Sequence, residues 1–99
     1  MKKVMVQFSI PGMTAKQYNQ CWEEMRKTGY GNPAGLIHHV GAQQGNNMVV
    51  VDVWESEEAF KKFGEILMPI FVKIGVVPVQ PVITPVLYEQ SGVESGITH

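Results

Sequence analysis

The stretch from Asn47 to Glu55 constrains the fold more than any other part of the chain, because it reads as a strand that is apolar on both faces. Side chains alternate across a strand, so Val49, Val51 and Val53 point one way and Met48, Val50 and Trp54 the other. Asp52 is the single polar member of the second row. Neither row is suited to water, so the strand needs cover above and below. The rest of the 99 residues must supply it, or a second copy of the chain must.

The other elements follow from periodicity. Val4, Val6, Phe8 and Ile10 alternate with more polar neighbours and predict a first strand, stopped by Pro11-Gly12. Thr14 and Gln17 have capping-box spacing ahead of a helix with Tyr18, Cys21, Trp22 and Met25 at helical intervals, ending near Gly29. After the loop Gly31-Asn32-Pro33, residues Gly35 to Gln43 read as a second strand, joined to the third by a tight turn at Gln44-Gly45-Asn46. Ser56 caps a second helix with Glu57 and Glu58 at the positive end of its dipole and Ala59, Phe60, Phe63 and Leu67 as its apolar stripe. Pro69 predicts a kink there, or a restart as a short piece reaching about Gly75. Val82 to Tyr88 reads as a last strand, and Pro85 within it argues for a sheet edge.

Helix-length connections on either side of a tight hairpin predict one α+β domain over residues 1–99, ferredoxin-like βαββαβ with antiparallel sheet order 4-1-3-2. Its core covers about residues 3–88, and residues 89–99 read as a polar, mobile tail. Two helices cover only one face of four strands. The valine face therefore calls for a homodimer with two sheets face to face, a dimeric α+β barrel.

Composition narrows the functional classes. A net charge of −1 leaves no basic stripe for phosphate neutralisation, which argues against a nucleic-acid partner. A single cysteine, Cys21, rules out an internal disulfide or a cysteine-rich zinc site and fits a reducing cytoplasm. The apolar run from Val4 to Met13 is interrupted by Gln7, Ser9, Pro11 and Gly12, so neither a targeting segment nor a membrane span is expected.

The hairpin locates the chemistry. If Gln43 pairs with Met48, His39 falls opposite Asp52, Ile37 opposite Trp54 and His38 opposite Val53, which puts His39, Asp52 and Trp54 on the helix-side face. A three-residue loop would exchange the two histidines. A carboxylate beside an imidazole fixes its tautomer and stabilises its charged form, so His39 and Asp52 are the candidate acid-base pair, with a satisfied polar pair as the plain structural alternative. Trp54, Tyr18 and Trp22 are candidate ligand-contacting residues, although aromatics at such spacings also serve simply as core. No histidines stand at metal-ligand spacing, so no metal site is expected.

The segment Val49-Val50-Val51-Asp52-Val53-Trp54-Glu55-Ser56-Glu57-Glu58-Ala59-Phe60, with Pro11-Gly12-Met13-Thr14 and Tyr18 before it, resembles the dimeric α+β barrel superfamily in its antibiotic-biosynthesis-monooxygenase-like branch. The resemblance covers about residues 3–88. It implies a ligand pocket between the helices and the sheet of each subunit. A small, largely apolar organic ligand is expected there, and cofactor-free monooxygenase-like or isomerase-like chemistry suits such a pocket. A non-catalytic ligand-binding or stress-associated dimer is the alternative. The haem-degrading members place a Trp at the end of strand three, which Trp54 matches. They also take a His ligand from the second helix, and this chain has none there. The Asn those enzymes carry on strand one is replaced here, with Gln7 only an approximate stand-in.

Overall fold

A computed structural model describes residues 2–90. The elements are β1 (Val4–Pro11), α1 (Ala15–Lys27), β2 (Leu36–Gln44), β3 (Asn47–Trp54), α2 (Glu57–Ile74) and β4 (Val82–Pro85). All strand pairs are antiparallel and the sheet order is β2-β3-β1-β4, the predicted order read from the opposite edge.

Local chemistry sets the helix ends. The Thr14 hydroxyl accepts from the Gln17 amide at 3.1 Å, and the Gln17 side chain accepts from the Thr14 amide at 2.9 Å. That reciprocal box satisfies two donors otherwise left free at the start of α1 and contributes about 1 kcal/mol. Ser56 caps α2 with one bond, its hydroxyl accepting from the Ala59 amide at 3.1 Å, and Gly75 ends that helix in the left-handed region at φ 78. Pro69 does not split α2, contrary to the predicted restart: the helix runs unbroken from Glu57 to Ile74. Pro69 removes one backbone donor, but Leu67, Ile70 and Phe71 around it are buried and hold the helix on the sheet across the gap.

The last strand is shorter than predicted. It ends at Pro85, and only one further bond, from the Val86 amide to the Lys3 carbonyl at 3.0 Å, continues the alignment. Pro85 has no donor to offer β1, and Leu87 and Tyr88 beyond it are exposed. Glu89 is ion-paired with Lys3 at 2.5 Å and lies 3.4 Å from His38. The tail expected beyond it lies, from residue 91 on, outside the described residues.

The two faces of β3 separate cleanly. Met48, Val50, Asp52 and Trp54 are buried beneath the helices, whereas Val49, Val51 and Val53 are only half-buried on the outer face. Val40 of β2 and Val82 of β4 lie on that same outer face and are each 60% exposed. The outer face of this single chain is thus apolar and uncovered. Among the described residues, no helix is long and apolar enough to cross a membrane.

Candidate active site

The site begins where β2 leaves the loop. Gly35 lies in the left-handed region at φ 89, and a Cβ there would come within 2.6 Å of the Ala59 Cβ, so only glycine lets the loop rest against the first turn of α2. The Gly35 carbonyl accepts from the Glu55 amide at 2.8 Å, and Leu36, not Ile37, pairs with Trp54. The predicted Ile37–Trp54 pairing is corrected by a register shift between Leu36 and His38. Beyond it the hairpin follows the expected register. Gln43 faces Met48, His39 faces Asp52 and His38 faces Val53, around a two-residue turn whose first member, Gly45, has φ 59.

A hydrogen-bonded chain runs from helix to strand. His39 Nδ1 lies 2.5 Å from Asp52 Oδ1, and the Tyr18 hydroxyl lies 2.6 Å from His39 Nε2. The Trp54 indole N–H donates to Asp52 Oδ2 at 3.2 Å. A carboxylate only accepts, so the neutral imidazole carries its proton on Nδ1 and presents Nε2 as an acceptor to Tyr18. Trp22 meets the His39 ring edge-on, with centroids 4.9 Å apart. Among the described residues, Asp52 is the only polar or charged one in the buried core, and no buried side-chain nitrogen or oxygen lacks a partner.

Glycine makes this chain possible a second time. A Cβ at Gly41 would lie 2.5 Å from the Tyr18 hydroxyl oxygen and 2.7 Å from its ring, so the bare backbone of β2 is what lets Tyr18 lie flat and reach His39 two residues away. The pairing of Tyr18 with His39, and the room at Gly41 that permits it, were not foreseen from the sequence. The glycine within an otherwise regular strand was the available signal. Burial, aided by the negative charge of Asp52, raises the Tyr18 hydroxyl above its ordinary value of 10.0 and keeps it protonated.

The sequence-predicted residues converge. Tyr18, Trp22, His39, Asp52 and Trp54 all border one cavity beneath the helices. Leu36, which takes the place opposite Trp54 expected for Ile37, borders the cavity as well. Trp54 is fully buried against Phe60 and Phe63, so it borders the cavity while its N–H is committed to Asp52. His38 is on the outer face, away from the hydrogen-bonded chain. The cavity measures about 30 Å³, room for a water or two, so an organic molecule must displace side chains to occupy it. Among the described residues no three His, Cys, Asp or Glu side chains come together as a metal site would require.

No protein-family model and no curated protein matches the chain. Solved structures do. A protein of Chloroflexus aurantiacus J-10-fl assigned as an antibiotic biosynthesis monooxygenase aligns over 90% of this chain and 97% of its own, with TM-score 0.63 and 11% identity. SnoaB of Streptomyces nogalater, a cofactor-independent oxygenase solved as a point mutant, aligns over 92% and 97%, with TM-score 0.58 and 12% identity. A point mutant of MhuD, with two manganese protoporphyrin IX bound per active site, aligns over 91% and 99%, with TM-score 0.51 and 17% identity. At such identities the likeness concerns architecture. The chain has the fold of the antibiotic biosynthesis monooxygenase structures, the dimeric α+β barrel.

Proposed function

We propose that this protein is a cytoplasmic homodimer in which each subunit binds a small, largely apolar aromatic molecule between helices and sheet, and that His39, held by Asp52, takes a proton from it. The observation that carries this reading is the Tyr18–His39–Asp52–Trp54 chain, which brings an acceptor nitrogen to the wall of an otherwise apolar cavity. A carboxylate behind a fixed imidazole tautomer is the arrangement of a general base. The ligand's acidic O–H or C–H replaces the Tyr18 hydroxyl at Nε2, and Tyr18 then donates to the developing oxyanion.

Two outcomes share that first step. In an isomerase-like reaction the proton returns at another carbon. In a monooxygenase-like reaction the electron-rich carbanion itself reduces dioxygen, so that an activated CH2 and O2 give C=O and water with the electrons drawn from the substrate. The cofactor-independent oxygenase SnoaB on the same fold supports the second. Homodimerisation is supported by the uncovered valine face, which in water would favour association.

The test is solvent-deuterium exchange into electron-rich hydroxynaphthalenes and anthrones, followed by NMR, with oxygen uptake measured in parallel. Exchange by the wild type that is lost in His39→Ala supports the reading, and oxygen uptake separates the two reactions. The small size of the cavity favours one other reading, a protein that binds such a ligand without acting on it. Thermal stabilisation by the ligand with no exchange would establish that reading and overturn the catalytic one.

A further inference from the structure

A second void lies beside the one at His39. It measures about 40 Å³ and is bounded by Phe60, Gly64 and Met68 of α2 and by Val79 and Pro81 of the segment that leads to β4. Phe8, Leu67 and Phe71 line both voids and so form the wall between them. His39 stands on β2, Asp52 on β3 and Phe8 on β1, with β4 at the far edge. The two voids therefore run crosswise over the sheet, from the proton chain toward the β4 side.

Two residues in this row are unusual for their positions. Along the helix-side row of β1, Val4, Val6 and Ile10 are buried, but Phe8 is only half-buried. Its ring is less enclosed than the buried Leu67 and Phe71. Gly64 sits mid-helix at a place where a Cβ would meet nothing within 4 Å, and no positive φ requires it. Glycine is unfavourable relative to alanine in a helix interior, and here its missing side chain leaves the outer void open. The cover over that void, residues 76–81, belongs to neither helix nor strand.

We propose that Phe8 is a movable partition that sets how large an apolar molecule the site accepts, and that the ligand enters beneath the 76–81 segment past Gly64, not past Tyr18 and Trp22. The inference rests on the reading that a ligand lodges beside His39. With Phe8 in place the inner void, about 30 Å³, admits a single ring only by displacing its other lining side chains. With Phe8 swung aside the two voids become one slot, wide enough for fused rings whose acidic position lies against His39.

The chain has two tryptophans, Trp22 and Trp54, and both border the inner void, so saturable quenching of their fluorescence reports its occupancy. Nitrobenzene and 1-nitronaphthalene are the probes, followed by stopped flow. Phe8→Ala is expected to bind 1-nitronaphthalene at least about tenfold tighter than the wild type does, with Phe8→Leu intermediate, near-ultraviolet circular dichroism verifying that each is folded. Gly64→Leu is expected to slow nitrobenzene association by about tenfold or more. An unaltered preference between the two probes in both Phe8 variants would overturn the partition, and unchanged association in Gly64→Leu would overturn the portal. If the wild type binds neither probe but Phe8→Ala binds both, the partition stands and the ligand reading of the native site falls. Binding by no variant defeats both.

Discussion

Replacing Asp52 by Asn tests the proton chain most directly, because it preserves shape while removing an acceptor. Asp52 accepts from His39 Nδ1 at 2.5 Å and from the Trp54 indole at 3.2 Å. An amide has one oxygen to accept with, and its nitrogen donates. Trp54 is fully buried and its indole can only donate, so an amide oxygen turned away from it would leave a donor unpaired at a cost of about 1–3 kcal/mol. The oxygen therefore stays with Trp54 and the amide nitrogen faces His39. Nδ1 must then accept, the ring proton moves to Nε2, and Nε2 donates to the Tyr18 oxygen in reversal of the native direction. No partner is lost. The stability cost is the difference between a hydrogen bond to a charged group and one to a neutral group, about 1 kcal/mol, or roughly 4–8 °C in Tm for a domain of this size. The loss of function is far larger. A base whose acceptor nitrogen already carries a proton forfeits the roughly 10²–10⁴-fold that general-base catalysis supplies. Nitrogen-15 NMR of the imidazole at alkaline pH reads the tautomer directly, with the proton on Nδ1 in the wild type and on Nε2 in Asp52→Asn. A variant that keeps its proton on Nδ1, or that loses more than about 3 kcal/mol of stability, would refute the chain as drawn.

Further outcomes follow from neighbouring contacts. Gly41→Ala places a methyl group about 2.5 Å from the Tyr18 oxygen and so should displace that ring; the Tyr18 titration, followed by tyrosinate absorbance, should fall back toward 10.0, and an unchanged titration would show that the strand yields instead. On the proposed dimer, Val51→Lys, at the centre of the outer face, should give a monomer at micromolar concentration where the wild type sediments as a dimer; a charged variant that stays dimeric would place the interface elsewhere. Burial pushes the Cys21 thiol from 9.0 up to about 11 and raises Tyr18 as well, so both groups deprotonate earlier in the unfolded chain than in the folded one. The contribution of these two groups should thus be level from neutral pH to 9, by denaturant titration, and decline as pH rises from 9 through about 11. Cys21→Ala should remove the first part of that decline, and a profile equally steep without the thiol would contradict its cause. In the native protein the same shift lowers the thiolate fraction about 100-fold, so alkylation of Cys21 at pH 8 should be slower than in the unfolded chain by at least that factor.

The order of elements, the antiparallel sheet and the facing of His39 and Asp52 were all legible in the chain, for one physical reason. Each depends on spacing along a few residues: the alternation in Val4–Ile10 and Asn47–Trp54, the Thr14–Gln17 box, and a Gly45 turn that sets the register on both sides. Other features depend on contacts between segments distant in sequence, and only the tertiary structure decides those. Ile37 loses its place opposite Trp54 because Gly35 must fit against Ala59, an approach between loop and helix that no local pattern encodes. Pro69 is carried through α2 because buried side chains around it outweigh one missing donor, and β4 stops at Pro85 because an edge strand has only one neighbour to hold it. The same holds for the site. Sequence spacing could put a histidine beside a carboxylate. It took the packing of α1 over the bare backbone at Gly41 to bring Tyr18 to the far nitrogen of His39, and the packing of Phe8 against Leu67 and Phe71 to divide the space beneath the helices in two.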